Sequence, residues 1–165
     1  MKTIVNLSPL DKFERWYGHP LKVLLQIENG DGGFIAFGAT LALYERYIRA
    51  KLKTKSIKGS PENFRKEASD DLGVKQYDFQ IWWEIFRDGI NHQASPKHVR
   101  RDGVDYTWHF REDFEAVPQR SGNEFQLNPG KFIELVIQKY YADPIALTAT
   151  DTYVLGNIEF EIKNL

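Results

Sequence analysis

KQYDFQIWWEIFRDGINHQ, residues 75–93, has the pattern of a helix with two buried sides. On a wheel of about 100° per residue, Phe79, Trp82, Trp83, Phe86 and Ile90 fall on one broad apolar arc. Tyr77, Ile81 and Ile85 fall on a second, and a narrow polar strip of Gln80, Glu84, Arg87 and Asn91 runs between them. A surface helix has one apolar stripe. Two flanks predict burial against the chain's own core on one side and against a second copy on the other, with Arg87 partly shielded from water between them.

Upstream, the same helical grammar repeats. Phe34, Phe37, Leu41, Tyr44, Ile48 and Leu52 recur every three or four positions and predict a long core helix, with Glu45, Arg46 and Arg49 outside its main stripe. Ser60-Pro61-Glu62-Asn63 is a cap followed by proline, opening a helix that ends near Gly73. Ser8-Pro9-Leu10-Asp11 opens another, which Gly18-His19-Pro20 is expected to interrupt before a second segment, Leu21 to Ile27. Asn29-Gly30-Asp31-Gly32-Gly33 lacks the lysine and spacing of a phosphate-binding loop and is expected to be a plain turn.

Downstream of Pro96 the period changes from helix to strand. Val104, Tyr106, Trp108 and Phe110 alternate with Asp105, Thr107, His109 and Arg111 after the turn signal Asp102-Gly103. Phe114 to Val117 and Glu124 to Leu127, around Arg120-Ser121-Gly122-Asn123, are expected to form a second hairpin or a pair of extended arms. Asn128-Pro129 caps a further helix, Gly130 to Ala142, and Ile158, Phe160 and Ile162 alternate like an edge strand. The prediction is a mainly α chain: one domain over residues 1–165, with a helical bundle at about 8–95, then a small β-hairpin region and one more helix, α+β overall.

Composition excludes several classes of function. With no cysteine among 165 residues there is no thiol nucleophile, no disulfide and no thiolate zinc site. Met1 to Ser8 holds too little charge and apolar length for a signal peptide, and no membrane span is expected, so the expected location is cytoplasmic. His92, His98 and His109 lack metal-ligand spacing, and neither a metal nor a cofactor is expected. Trp82-Trp83, Tyr106, Trp108 and Phe110 are expected mostly in the core, although such rings also stack on bases in single-strand binders.

A formal charge of −1 hides local excess. Residues 46–58 carry Arg46, Arg49, Lys51, Lys53, Lys55 and Lys58 without an acid, and Lys97, Arg100 and Arg101 form a second cluster. Cations at a helix C-terminus complement its dipole; equally, Arg46, Arg49, Lys51, Lys53, Lys97, Arg100 and Arg101 are candidates for contacting nucleic-acid phosphates.

The chemistry-bearing candidates are Arg87, Asp88 and His92. A partly desolvated guanidinium needs an anionic partner, which Glu84 one turn back supplies only in part, so Arg87 is poised for phosphate. Asp88 and His92, four apart, are spaced for the carboxylate to orient the imidazole. In an ideal helix positions 87 and 92 point about 140° apart, so they converge only if the helix loosens near Gly89 or a symmetry mate supplies half the site.

Arg87-Asp88-Gly89-Ile90-Asn91-His92 resembles the arginine, polar residue, three variable positions, histidine signature of HEPN domains, and its place on a late helix over residues 8 to 95 matches theirs. The resemblance implies a helical bundle and metal-independent RNA cleavage at a homodimer interface, often in a toxin or anti-phage setting with an antitoxin or regulatory protein as partner. Carried over by position, Arg87 is the phosphate stabiliser, Asp88 the polar orienter and His92 the acid or base. This sequence departs from the pattern in having aspartate where asparagine often follows the arginine, and Ala94 where some toxin members have tyrosine. Non-catalytic HEPN domains exist, so a dimeric module that binds nucleic acid or protein is the alternative.

Overall fold

The computed structural model describes residues 7–28 and 32–148. Within them the chain is mostly helical with a small four-stranded sheet, an α+β architecture. Of the turn expected at Asn29–Gly33, the first three residues lie outside the described ones, Gly32 is a turn residue and Gly33 already begins the next helix; the alternation at Ile158, Phe160 and Ile162 lies outside the described residues.

Helix α1 (Pro9–Phe13) starts at Ser8, whose Oγ accepts from the Asp11 N–H while the Asp11 carboxylate accepts from the Ser8 N–H. The expected interruption at Gly18-His19-Pro20 does not occur. Instead the chain widens into a π turn (Glu14–Gly18) and continues as α2 (His19–Leu25). Proline lacks the N–H that a regular helix uses and crowds the carbonyl four residues back. A widened turn just before Pro20 accommodates both without ending the helix.

Helix α3 (Gly33–Thr54) is the central element, packing against α2, α4 (Pro61–Leu72), α7 (Pro129–Ala142) and α8 (Ile145–Thr148). Its predicted stripe is buried: Phe37, Tyr44 and Ile48 are sealed from solvent. The caps read from sequence hold, with Ser60 Oγ accepting from the Asn63 N–H, and Gly73 closing α4 at φ +68°, where a side chain would be strained.

The stretch 75–93 is helical throughout, but as three pieces: α5 (Gln76–Trp83), a second π turn (Glu84–Asp88) and α6 (Gly89–Gln93). Phe79, Trp82 and Phe86 enter the aromatic core around Phe132 and Phe37. Ile81 and Ile85, expected to face a second copy, are fully buried within a single chain. That correction removes the second apolar flank as an argument for dimerisation.

Strands β1 (Val99–Arg101) and β2 (Val104–Phe110) form an antiparallel hairpin across Asp102-Gly103, and β3 (Gln119–Ser121) and β4 (Glu124–Leu127) form another. The two hairpins join through a parallel β2–β4 pairing, with Trp108 opposite Phe125. Tyr106, Trp108 and Phe110 turn inward and His109 outward, as the alternation predicts, but Val104, the first residue of the apolar set, is exposed beside the turn. The strand arm expected at Phe114–Val117 is not one. The hairpin closes tightly at Gly122, φ +61°, which puts the pairing residues at 119–121.

Candidate functional site

The polar strip of the 75–93 helix becomes one wall of an open cleft of about 300 Å3. Gln80, Glu84 and Arg87 line it, and Asp88 closes that side. α3 supplies Glu45 and Arg49 opposite, and α4 contributes Phe64 and Arg65. Trp83, half-buried, completes the lining, with its ring stacked on Phe79 at 5.5 Å.

Arg87 is held from two sides. Its Nε and Nη2 donate to Glu45 Oε2 at 3.2 and 3.0 Å, and its Nη1 donates to Asp88 Oδ1 at 3.0 Å. Its side chain keeps 32% of its surface exposed. Burial opposes its charge, but the bond to Asp88 and the nearby Glu45 carboxylate outweigh burial and raise its pKa above the ordinary guanidinium value.

This differs from the pairing expected from sequence. Glu84 does not hold Arg87; it takes Lys97 Nζ at 3.2 Å and Arg101 Nη2 at 2.8 Å. Asp88 serves Arg87 rather than orienting His92. The carboxylate that the four-residue spacing offers to His92 is taken instead by Arg87, which the π turn carries alongside it, and His92 is left exposed on the regular helix that follows. Gly89 makes the turn fit, because a Cβ there would lie 2.6 Å from the Lys97 N and 2.8 Å from the Ser95 O. The Lys97 N–H in turn bonds the Ile85 carbonyl at 3.0 Å, so the return of the chain fastens the widened turn.

His92 is exposed on α6 and does not line the cleft. Packing brings α6 against α3, where Ile90 Cγ2 would meet a Cβ on Gly38 at 2.9 Å. Glu45, two turns further along α3, reaches Arg87. Arg87 and His92 thus lie along the same α3 crossing, and within one chain they do not share a pocket.

The candidate nucleic-acid residues divide sharply. Arg46 is turned inward and donates to the Ala146 carbonyl at 2.9 Å, fastening α8. Lys51 binds Asp71 at 2.9 Å in the helix interior. Lys53 is exposed at the end of α3, far from Arg87 along the helix. Arg100 projects into solvent, 3.8 Å from Asp105. Arg49, Lys97 and Arg101 border the cleft: Arg49 lines it, donating to Glu45 Oε1 at 2.7 Å from Nη2, and the other two reach it through Glu84. Arg65, which sequence reasoning missed, joins them. With its amide oxygen facing the cations, Gln80 accepts from Arg65 Nη1 at 2.8 Å and Arg101 Nη1 at 2.9 Å.

Arg49, Arg65, Arg87, Lys97 and Arg101 thus face Glu45, Glu84 and Asp88, a local excess of two positive charges in a chain of net charge −1. A cleft of that balance attracts an anion without being a bare polyanion track. Among the described residues no cluster of histidine and carboxylate ligands is placed to hold a metal ion, and no helix is long and apolar enough to cross a membrane. Comparison of the chain with protein-family models, curated proteins and solved structures finds no match.

Proposed function

We propose that this chain is a HEPN-like, metal-independent endoribonuclease that works as a homodimer, with Arg87 holding the reacting phosphate and His92 moving the proton. The observation that supports it is the Arg87 guanidinium, fixed by Glu45 and Asp88 at an open cleft whose three lining cations and three carboxylates are joined at the border by Lys97 and Arg101. A guanidinium oriented beforehand stabilises the charge that builds on a phosphorane without reorganising during the reaction. In the proposed reaction the 2′-hydroxyl attacks phosphorus, the bond to the 5′-oxygen breaks, and a 2′,3′-cyclic phosphate forms. His92 removes the hydroxyl proton or supplies one to the leaving oxygen.

Because His92 stands outside the cleft, the catalytic pair is completed in this proposal by the two-fold mate. Next to the Gly38–Ile90 crossing α3 presents exposed Ile35, Ala39 and Ala42, a smooth face on which a second copy could seat. Arg49, Lys97 and Arg101 would guide the RNA backbone.

The second reading is a non-catalytic HEPN-like dimer that binds nucleic acid or a protein, such as an antitoxin or regulatory partner. Two carboxylates already engage Arg87, which favours binding over turnover. The experiment is incubation with mixed RNA in EDTA, beside folded Arg87→Ala and His92→Ala proteins. Products ending in 2′,3′-cyclic phosphate, absent with both variants, support the nuclease; retention of RNA without cleavage by a folded dimer supports the binding module.

A further inference from the structure

Taking the RNA reading above as its ground, we infer that the cleft beside Arg87 is a subsite for one unpaired nucleotide, its phosphate on Arg87, its base against Trp83 and its base edge at Gln80. Three independent features carry this.

The first is length. Gln80 and Arg87 both line the cleft and are seven residues apart along the chain of one helix, about 10 Å at the usual rise. That is about the reach of a nucleotide from phosphate to the far edge of its base. The helix widens near Arg87, whose guanidinium reaches across to Glu45 on the facing helix.

The second is an aromatic surface between those ends. Trp83 has one face stacked on Phe79, with planes 23° apart, meets the tilted rings of Phe64 at 5.2 Å and Tyr44 at 6.3 Å, and also lines the cleft. The neighbouring Phe64 ring is unsuited to the same task, because the Arg49 guanidinium already sits over it at 5.1 Å. Of the two rings that line the cleft, Trp83 is the one without Arg49 over it, and every base has a π face to offer it.

The third is the polarity of the ends. A purely electrostatic backbone track would be lined by cations alone, yet this cleft mixes them with carboxylates and adds the amide of Gln80, two helical turns before Arg87. Gln80 is held in orientation by Arg65 and Arg101, so its amide hydrogens have a fixed direction. Fixed amides hydrogen-bond base edges, as in groove readout. A base within a duplex cannot enter, since its faces are covered by its neighbours; a splayed base of a loop or single strand can.

The test compares two short single-stranded RNAs of equal length and charge, one of mixed sequence and one abasic at every position. Binding to the His92→Ala protein, residues 1–165, is measured by fluorescence anisotropy, so that neither strand is consumed. The base-containing strand is expected to bind about tenfold more tightly. Trp83→Leu should erase most of that gap, and Arg87→Ala should weaken both strands alike. Equal binding of the two strands, with the Arg87 dependence intact, overturns the subsite and leaves the RNA reading standing. Absence of binding by either strand overturns both. The comparison of strands needs no change at Trp83, so it decides the matter even if Trp83→Leu fails to fold.

Discussion

Two networks of carboxylates and cations in this molecule look alike on paper and behave oppositely. Around Asp71 on α4, Lys51 from α3 and Lys139 from α7 approach at 2.9 Å each, and the Tyr44 hydroxyl donates at 3.0 Å. The Asp71 side chain is 6% exposed. Around Arg87 the cation is the central member, its two acids come from α3 and from the next residue, and the group opens onto a cleft. The first network ties three helices together and has no free surface to offer a ligand. The second ties α3 to the end of the 75–93 helix and aims its charge outward. Burial and direction separate a structural ion cluster from a candidate site; composition does not.

Breaking the buried network should have the largest effect. Asp71→Asn removes the shared partner of Lys51 and Lys139 and is expected to lower stability by about 3 kcal/mol, roughly 10 °C in Tm. The pH dependence follows from the same group. Burial works against the Asp71 carboxylate, yet the bonds from Lys51 and Lys139 prevail and hold its folded pKa below the ordinary value of about 4. Its contribution is therefore complete above about pH 4 and is lost as pH falls through the lowered folded pKa. Denaturant titrations of wild type and Asp71→Asn should converge below about pH 4; a gap that stays constant with acidity would show that Asp71 is not acting as a charge.

Arg87→Ala is the opposite experiment. Under the proposed function RNA cleavage should fall about a hundredfold, the usual size of a lost oxyanion stabiliser. The partly exposed pairs it forms should leave unfolding free energy within about 1 kcal/mol of wild type. Equal loss of stability in both variants would erase the distinction between the networks. Between them in size stands Gly89→Ala. At φ −57° alanine's backbone is comfortable, but its Cβ would press on the Lys97 N, the Ser95 O and the Pro96 Cα. Overpacking predicts a loss of about 2 kcal/mol, measured by urea denaturation, together with a shift of the loop that carries Lys97.

How much of this was legible follows the range of the interactions. The caps at Ser8 and Ser60, the stripe of α3 and the alternation of β2 are local, and their residues announce them. The polar strip Gln80, Glu84, Arg87 and Asn91 was visible too, and its first three members line the cleft, while Asn91 is exposed beyond it. The π turns were not visible. They arise where Pro20 must be accommodated and where the chain after Ala94 folds back on Gly89, events that no helical wheel contains. Nor could spacing identify Glu45 as the partner of Arg87, since 42 residues separate them and only the crossing of two helices brings them together. Glu84, the nearer acid, was the natural expectation. It was drawn away by Lys97 and Arg101, whose positions depend on a hairpin packed beyond the helix end. The same hairpin joins its neighbour by a parallel pairing that turn signals do not encode.

The smallest effect gives the comparison its baseline. Lys66 and Asp70 on α4 form an ion pair at 2.7 Å, shorter than either contact of Asp71, but with side chains 67% and 63% exposed. Distance alone would rank it first. Water screens both charges, and the bond raises the Lys66 pKa, with Asp70's charge adding to it, without any burial to make the pair matter for folding. Lys66→Ala should therefore leave Tm within measurement scatter, at low salt and high salt alike, and leave RNA binding untouched. A clear drop in Tm would mean that proximity, and not burial, governs the ion pairs of this chain. In that case the Arg87 cluster, with contacts of similar length, would have to be regarded as a fastening of α3 first and a phosphate site second.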